Sequence, residues 1–310
     1  MKLSVIVPCY NEEKVLHLLA ERLGAVFLEL KADDYEIILV NDGSTDRTES
    51  IIKELSKNNG KYKAVHLSRN FGHQAALLAG LAHFTGDAAF LLDADLQDPP
   101  ELIGRFIEKY NEGYEVVYGV KKARKENFFK KATYRLYYKI LRMLAEIDIP
   151  LESGDFCLLS RRVVSVIISM PERNKFLRGL RSWVGFKQYA LEYNRDKRRS
   201  GASKYTIRKL LKLSNDGIFG FSKVPLKVSF WLGIFICLGC FGAAIIFFIL
   251  YLISDIHNKL PGYTSLILSI LFFGGIQLFA LGLIGGYIGR IYDTVRNRPE
   301  YIIKGKDNIV

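Results

Sequence analysis

The chain has 310 residues, of which 49% are hydrophobic and 25% are charged, and its formal net charge is +12. This length accommodates one sizeable α/β domain and additional segments. A positive charge of this size is typical of nucleic-acid binders, but the chain lacks the recognition motifs of that class, so we expect no nucleic-acid partner.

The positive charge is concentrated in two segments. Residues 121–142 contain nine Lys or Arg and one acid, and residues 195–212 contain eight Lys or Arg and one acid. Two long uncharged stretches lie downstream, at residues 228–254 and 264–289, and they predict membrane-spanning helices. The basic segments therefore favour contact with an anionic membrane surface and with an anionic lipid substrate.

Short apolar runs and longer amphipathic stretches alternate along the first part of the chain. They predict strands at residues 3–7, 35–40, 62–67, 88–92 and 115–118, and helices at residues 12–30, 48–58, 73–83 and 100–111. This βαβα order predicts an α/β fold with a mostly parallel sheet and helices on both faces. Ligands of such open sheets bind beyond the carboxyl ends of the strands, so we expect the functional residues there.

The fourth predicted strand ends in two carboxylates one residue apart, Asp93 and Asp95, which are followed by Gln97. Carboxylates at positions i and i+2 of an extended segment point to the same side, where they repel each other unless a cation lies between them and another anion. Hard cations take oxygen ligands and keep substrate phosphates in their coordination shell. We therefore expect a Mg²⁺ or Mn²⁺ ion and a nucleotide diphosphate at this strand end.

Polar residues also follow the first two predicted strands, at residues 8–13 and 41–46. Asp46 has the spacing of a capping box with the glutamate three residues later, and Asp98 before two prolines has the pattern of a helix N-cap, so both are assigned structural roles. Asp42 precedes its cap and is a candidate for hydrogen bonding a base or a ribose. The sequence contains neither a G-x-G-x-x-G motif after the first strand nor a P-loop motif, which disfavours dinucleotide-binding and P-loop enzymes.

Two segments of the C-terminal part, residues 228–254 and 264–289, contain no charged residue. As helices they would each be roughly 40 Å long, which exceeds the roughly 30 Å hydrocarbon core of a bilayer. No cleavable signal peptide precedes the first predicted strand, so we expect the globular part to remain on the side of synthesis. The short intervening loop has Lys259 as its one basic residue, whereas the outer ends of the segments are flanked by Lys223, Lys227, Arg290, Arg296 and Arg298. The positive-inside rule then predicts a multi-pass protein of the plasma membrane with both termini in the cytoplasm.

These patterns divide the chain into five parts. We expect a cytoplasmic α/β domain at residues 1–204, a juxtamembrane amphipathic segment at 205–227, transmembrane helices at 228–254 and 264–289, and a basic cytoplasmic tail at 290–310. Residues 205–221 combine Leu and Ile with Lys and Arg, which predicts an interfacial helix at the height of the lipid head groups. The glycines within residues 282–289 would permit close helix packing in a homo-oligomer.

Several motifs resemble those of a known enzyme family. Residues 5–13 (VIVPCYNEE), 40–46 (VNDGSTD) and 93–101 (DADLQDPPE) are similar to the three leading motifs of the family-2 glycosyltransferases, which are inverting enzymes of GT-A fold. Further matches are residues 68–74, 154–156, 171–179 and 201–205. Within the family, the chain is most similar to the polyisoprenyl-phosphate glycosyltransferases, the group of dolichol-phosphate mannose synthase and the bacterial bactoprenol glucosyltransferases.

The resemblance implies transfer of a hexose from a nucleotide sugar to the phosphate of a polyisoprenol. The two-span hairpin resembles the bacterial branch, which favours UDP-glucose as donor and undecaprenyl phosphate as acceptor, and a GDP-mannose-dependent mannosyltransferase is the alternative. A processive polysaccharide synthase is disfavoured because its usual Gln-x-x-Arg-Trp motif and additional spans are missing. A non-catalytic, membrane-anchored sugar-nucleotide scaffold is disfavoured because like charges are not expected to converge without a ligand.

The resemblance and the strand-end positions together give the expected site residues. The expected catalytic residues are Asp93, Asp95 and Asp155, and the expected metal ligands are Asp95 and Gln97. The nucleotide sugar is expected to contact Pro8, Tyr10, Asn11, Glu12, Asp42 and Asp93. The acceptor phosphate is expected to contact Lys121, Arg124, Lys131, Arg135, Arg199 and Lys204.

The expected role of Asp155 is open between a general base and a residue that orients a sugar hydroxyl or a cation. A phosphate monoester has a second pKa of about 6, so the attacking oxygen of a lipid phosphate is already mostly ionised at neutral pH. Two departures from the family pattern concern cations. Cys157 stands where the family often has Arg, and Lys121 stands where an Arg usually follows Tyr-Gly-Val. Lys keeps the charge but loses the bidentate geometry of Arg, whereas Cys removes the cation.

Overall fold

The structure is a computed structural model, and it describes residues 1–121, 153–172, 175–194, 224–253, 262–296 and 298–309. The described residues belong to two compact units. An α/β unit contains the described residues up to 194 together with residues 298–309, and a helical unit contains residues 224–253 and 262–296.

The described part of the α/β unit is built on one eight-stranded sheet. Its strands are β1 (Leu3–Cys9), β2 (Tyr35–Asn41), β3 (Tyr62–Leu67), β4 (Ala88–Leu91), β5 (Val116–Lys121), β6 (Ser153–Ser160), β7 (Gln188–Tyr193) and β8 (Ile303–Asp307). The strand order is β7-β5-β6-β4-β1-β2-β3-β8. Strands β4, β1, β2 and β3 are parallel neighbours, β5 and β7 are parallel, and β6 and β8 are antiparallel to their neighbours.

The helices of this unit follow the strands along the chain. They are α1 (Leu16–Glu29), α2 (Thr48–Asn58), α3 (His73–Leu81), α4 (Ile103–Asn111), α5 (Arg161–Ser169) and α6 (Leu177–Trp183), and a short 3₁₀ turn at Pro100–Leu102 precedes α4. The α/β fold with a mostly parallel sheet, predicted from the alternating pattern, is therefore confirmed.

Side chains of β1 alternate between two layers of the core because successive residues of a strand point to opposite faces. Val5 and Val7 belong to the same buried cluster as Leu19 of α1. Ile6 faces the opposite layer, where a Cβ atom built on Gly80 of α3 would lie 2.3 Å from its Cγ2 atom. Glycine at this position thus allows α3 to pack close to the sheet.

The last three strands were not predicted from the sequence patterns. Strand β6 lies between β4 and β5, and β7 forms one edge of the sheet. Strand β8 lies within residues 290–310, which were predicted as a basic tail, and it pairs with β3 at the other edge. The chain that follows the second apolar segment is therefore part of the same sheet as the N-terminal strands.

The helical unit contains two long helices, α7 (Val224–Ile253, 30 residues) and α8 (Gly262–Val295, 34 residues). Within the described residues, one stretch is long and apolar enough to cross a membrane, Phe272–Val295. Its mean hydropathy is 1.5, and none of its most apolar part is buried. Large apolar side chains of α7, such as Phe230 and Trp231, are also exposed.

Candidate active site

The carboxyl ends of β4, β1 and β2 lie side by side, since these strands are parallel neighbours. We call this side of the sheet, where the parallel strands end, the carboxyl edge. Strand β6 runs antiparallel to β4, so the beginning of β6 lies at that same edge. Asp155, near the start of β6, is thereby brought close to Asp93, which follows β4. The two motifs are far apart in sequence, and the antiparallel register of β6 is what joins them.

Burial alternates along the segment after β4. Asp93, Asp95 and Gln97 are partly exposed, whereas the residues between and after them, Ala94, Leu96 and Asp98, are buried. The Oδ1 atom of Asp95 accepts a hydrogen bond of 3.1 Å from the backbone N–H of Gln97. The two acids and the amide are therefore the more accessible positions of this segment, which turns at residues 94–96, where Leu96 has a positive φ of 58°, and is not extended.

Asp155 lies at the centre of a network of hydrogen-bond donors. Its side chain is 4% exposed. The guanidinium group of Arg178 in α6 donates two hydrogen bonds of 2.9 Å, one to each carboxylate oxygen. Gln74 donates from Nε2 to Oδ2 at 3.3 Å, and the Oε1 atom of Gln74 accepts from the backbone N–H of Leu177 at 3.1 Å. Residues of α3 and α6 thus hold this carboxylate in one position.

His73 bridges the two carboxylates from the first turn of α3. Its Nε2 atom lies 3.3 Å from Oδ2 of Asp155 and 3.4 Å from Oδ1 of Asp93. Partial desolvation of the imidazole acts to lower the pKa of His73, but Asp93 and Asp155 outweigh it and raise this pKa to about 9. The His73 side chain is 41% exposed, so it carries a positive charge at neutral pH in a position that solvent can reach.

The two bridged carboxylates differ in their charge environment. Burial raises the pKa of Asp93, and the neighbouring carboxylates of Asp155, Asp98 and Asp95 raise it further, with His73 acting in the opposite direction. For Asp155, burial also acts to raise the pKa, but Arg178 and His73 hold it well below the usual range. Asp155 is therefore a weak base, and negative charge is in excess around Asp93.

A second part of the site is formed by the loops that follow β1 and β2. The backbone N–H of Asn11 donates to Oγ of Ser44 at 3.1 Å, and the backbone N–H of Thr45 donates to Oδ1 of Asn11 at 2.9 Å. Asn11 has a positive φ of 55°, which this pair of hydrogen bonds maintains. Gly43 also has a positive φ, 62°, and a Cβ atom there would lie 2.3 Å from the backbone carbon of Arg69, so only glycine is accommodated.

Two acids at the strand ends, Asp46 and Asp98, were predicted to have structural roles. Asp46 accepts from the backbone N–H of Thr48 at 3.0 Å, at the start of α2, while Glu49 pairs with lysines and does not complete a capping box with it. Asp98 accepts from the hydroxyl of Tyr193 at 2.5 Å. The helical turn before α4 begins at Pro100, and Pro99 occupies its N-cap.

Asp42 is buried, and its carboxylate oxygens accept the backbone N–H groups of Phe71 at 2.7 Å and Gly72 at 3.0 Å. Burial raises the pKa of Asp42, although these two hydrogen bonds and His73 act to lower it. The carboxylate therefore holds the loop directly before α3, and in this way it positions His73. Its predicted contact with a base or a ribose stays a prediction.

Other predicted residues are distributed around the same edge. Pro8 is a buried residue of β1, Tyr10 is 37% exposed after the strand, and Glu12 is partly buried. Lys121 is the last residue of β5. The remaining predicted acceptor-phosphate residues, Arg124, Lys131, Arg135, Arg199 and Lys204, lie outside the described residues, as does the predicted interfacial helix.

The sequence patterns gave no role to four residues that the structure brings to this site: His73, Gln74, Arg178 and Arg181. Arg181 lies one helical turn after Arg178 and is buried, and its Nη1 atom donates to the carbonyl of Gly154 at 3.2 Å. Its guanidinium group also lies 4.6 Å from the ring centroid of Tyr118.

Burial raises the pKa of the Cys157 thiol, and the nearby charge of Arg181 and a hydrogen bond with it act against this rise. A cation thus lies beside Cys157, although position 157 itself lacks the Arg expected from the family pattern.

Among the described residues, no group of three or more His, Cys, Asp or Glu side chains is arranged to hold a metal ion by itself. The oxygen atoms of Asp95 and Gln97 are nevertheless the donor type that Mg²⁺ and Mn²⁺ prefer when the remaining ligands come from a substrate. The excess negative charge around Asp93 also suits a cation. The residues present are therefore compatible with a divalent metal ion shared with an anionic substrate.

Residues 4–168 match the family model described as glycosyl transferase family 2. The match covers more than half of the chain, and the chain belongs to glycosyl transferase family 2. Together with this family, the fold and the acidic strand-end site define the protein as a glycosyltransferase.

The chain is similar over nearly its full length to several curated relatives. The uncharacterized glycosyltransferase YkcC of Bacillus subtilis (strain 168) is 48% identical over 302 residues, which cover 97% of this chain and 93% of the relative. The SfII prophage-derived bactoprenol glucosyl transferase of Shigella flexneri is 42% identical over 307 residues and 98% of each chain. A prophage bactoprenol glucosyl transferase homolog of Escherichia coli (strain K12) is 40% identical, with 98% of this chain and 99% of the relative covered.

Among solved structures, glucosyl-3-phosphoglycerate synthase from Mycobacterium tuberculosis in complex with Mn²⁺, uridine diphosphate and phosphoglyceric acid has a TM-score of 0.51 with this chain. The two chains are 19% identical, and the match covers 70% of this chain and 76% of that one. The likeness establishes the GT-A fold of the α/β unit, as the motifs of the sequence predicted.

Proposed function

We propose that this protein is a membrane-bound, inverting glycosyltransferase that transfers a hexose from a nucleotide sugar to a polyisoprenyl phosphate. UDP-glucose is the proposed donor and undecaprenyl phosphate the proposed acceptor. The observation that carries the proposal is the cluster of Asp93, Asp155, His73 and Arg178 at the carboxyl edge of a GT-A sheet. Relatives that are 40–42% identical over nearly the whole chain are named as bactoprenol glucosyl transferases or their homolog, which supports glucose as the transferred sugar and a polyisoprenyl acceptor.

The donor would bind along the edge formed by the ends of β1, β2 and β4. The interlocked loops of Asn11 and Ser44 supply a fixed polar surface for the nucleotide. Asp95 and Gln97 would hold a Mg²⁺ or Mn²⁺ ion, and Asp93 would contact the ribose or the sugar. The bound metal ion would neutralise charge on the departing nucleotide diphosphate.

Asp155 acts as an orienting anion in this proposal. Three side chains donate to its carboxylate or lie against it, and its pKa is held well below the usual range, so it is a poor proton acceptor. An ionised acceptor phosphate needs no general base. Asp155 instead fixes the cationic groups of Arg178 and His73 at the place where anionic substrates must meet.

The membrane location rests on the two long helices and on the position of β8. We propose that α7 and α8 both cross the membrane, as the uncharged segments 228–254 and 264–289 predict. Strands before α7 and the strand after α8 belong to one sheet, so the chain must return to the side from which it left. Such a return requires an even number of crossings, which supports a two-span hairpin with the α/β unit and both termini in the cytoplasm.

The test is the transfer of radiolabelled sugar from a panel of UDP- and GDP-sugars to undecaprenyl phosphate by the purified full-length protein, with Mg²⁺, Mn²⁺ or EDTA. We expect a labelled lipid from UDP-glucose that depends on a divalent metal ion. A product from GDP-mannose alone would replace the donor by the alternative. Nucleotide binding without any lipid product would favour the non-catalytic scaffold.

A further inference from the structure

The C-terminal strand β8 is connected to the α/β unit by side chains as well as by strand pairing. Asp307, the last residue of β8, accepts at Oδ2 from Nε2 of His66 in β3 at 2.9 Å. The His66 side chain is 3% exposed and that of Asp307 is 35% exposed. Asn308 donates from Nδ2 to the backbone carbonyls of Ser56 at 2.6 Å and Tyr62 at 2.9 Å. The contact between Asp307 and His66 is thus made by an anchored strand end.

His66 continues the contact into the interior of the sheet. Its Nδ1 atom lies 3.4 Å from Nδ2 of Asn41, the last residue of β2. The Oδ1 atom of Asn41 accepts the backbone N–H of Ser44 at 3.0 Å, so the amide group of Asn41 must present its NH₂ to His66. An imidazole that accepts at Nδ1 carries its proton on Nε2, which is the atom that faces Asp307. The geometry therefore selects one tautomer of His66.

The chain of contacts ends in the interlocked loops. Ser44 accepts at Oγ from the backbone N–H of Asn11, whose side chain accepts from Thr45. Hydrogen bonds thereby connect Asp307 through His66 and Asn41 to the loop conformation at Ser44. A second contact supports the same residue, because Nδ2 of Asn41 lies 3.4 Å from Oε2 of Glu49, and Lys304 of β8 lies 3.4 Å from Glu49.

We propose that Asp307 is a positioning residue for the nucleotide-binding loops, acting through His66 and Asn41. The strand that follows the second apolar helix is then part of the donor site, although it contributes no group to the donor itself. This inference rests on the proposed function in one respect, namely that the loops of Asn11 and Ser44 bind the nucleotide. The series of contacts from Asp307 through His66 and Asn41 to Ser44, which we call the contact chain, is independent of that assignment.

The test compares three variants of the full-length protein. Asp307→Ala removes the acceptor of the His66 proton, Asp307→Asn keeps an acceptor oxygen, and Lys306→Ala changes an exposed side chain of the same strand as a matched control. We expect Asp307→Ala to raise the KM for the donor about fivefold and to leave kcat nearly unchanged, since one orienting hydrogen bond is lost. Asp307→Asn and Lys306→Ala are expected to stay close to the parent protein.

Two measurements on the ligand-free protein decide the contact chain itself. Amide hydrogen exchange at Ser44 is expected to become about fivefold faster in Asp307→Ala and to stay unchanged in Lys306→Ala. Nitrogen chemical shifts of His66 in the parent protein should identify the tautomer protonated at Nε2, a readout that needs no variant. A His66 protonated at Nδ1, or unchanged exchange at Ser44 in folded Asp307→Ala, would overturn the inference.

The kinetic and ligand-free results separate the two possible failures. Faster exchange at Ser44 together with an unchanged donor KM would overturn the positioning role and retain the contact chain. Absence of nucleotide binding by the parent protein would reject the proposed function, and the exchange and tautomer data would still decide whether Asp307 holds the loop.

Discussion

Glu36 and Asp93 are carboxylates at opposite ends of the parallel strands, and their electrostatic surroundings are opposite. Glu36 lies at the start of β2, is 2% exposed, and accepts from Ser4 at 2.5 Å, from the backbone N–H of Thr85 at 2.6 Å and from Lys63 at 2.6 Å. Burial acts to raise the pKa of Glu36, but these donors lower it to about 2.

Asp93 lies beyond the end of β4, and its surroundings contain three further carboxylates and one imidazole. Its pKa is raised by burial and by those carboxylates, with His73 acting against them. The negative charge of Glu36 is therefore compensated within the protein, whereas the charge at the carboxyl edge is in excess. The difference indicates that the amino edge, where the parallel strands begin, serves stability. The carboxyl edge, where they end, is suited to a cation, through which a phosphate-bearing ligand could also bind.

The largest expected effect is that of Asp95→Asn at the carboxyl edge. We expect glycosyl transfer to fall about 1,000-fold, because Asp95 is the proposed carboxylate ligand of the metal ion that would neutralise charge on the departing diphosphate. The apparent affinity for Mn²⁺ in the presence of nucleotide should fall as well, while thermal unfolding stays unchanged. Metal-dependent turnover that survives in this variant would remove Asp95 from the site.

Glu36→Gln tests the amino edge. The free energy of unfolding should decrease by about 3 kcal/mol, since Lys63 is left without its carboxylate partner. The folded pKa of Glu36 lies below its ordinary value of 4.5, so its contribution to stability is present above pH 4.5 and is lost as the pH falls toward 2. Denaturation at pH 7 and at pH 3 measures both effects, and a variant that loses stability equally at both values would contradict this account.

Asp155→Asn distinguishes an orienting residue from a base. We expect glycosyl transfer to fall about 30-fold and to remain measurable, because Arg178 keeps one acceptor oxygen and an ionised acceptor phosphate needs no base. Turnover with undecaprenyl phosphate and donor affinity should be measured together. Complete loss of turnover with intact donor binding would instead assign the base role to Asp155.

The smallest effect concerns the titration of His73. Its pKa is raised to about 9 by Asp93 and Asp155 against the effect of burial, so the stability it contributes is fully present below its ordinary pKa of 6.5 and is lost as the pH rises through about 9. Asp93→Asn should move the titration midpoint seen by NMR from about 9 toward 6.5. Glu36→Gln, at the other edge of the sheet, is the matched control and should leave the midpoint in place.

The first five strands were predictable because each is a local apolar run with polar residues at its end, and their carboxyl ends identify the site. Strand β8 was missed because its exposed positions are lysines, as is common for edge strands, and its partner β3 lies about 240 residues earlier in the sequence. No local pattern reports a pairing of that range.

The acidic residues of the candidate site could be predicted from the sequence, whereas the roles of its cationic residues could not. Asp93, Asp95 and Asp155 follow from strand ends and motifs, whereas the roles of His73 and Arg178 depend on the antiparallel register of β6 and on the packing of α6. Arg181 illustrates the same limit, because the cation that lies beside Cys157 comes from a helix more than 20 residues later. Tertiary contacts of this kind become visible only in the structure.

The most direct test of the comparison is the turnover of Asp95→Asn and Glu36→Gln in one assay of sugar transfer to undecaprenyl phosphate, at a temperature below the unfolding midpoints of both variants. The account predicts that Asp95→Asn is folded and almost inactive, and that Glu36→Gln is less stable and as active as the parent protein. An active Asp95→Asn protein, or a Glu36→Gln protein that is folded and inactive, would contradict the assignment of function to the carboxyl edge.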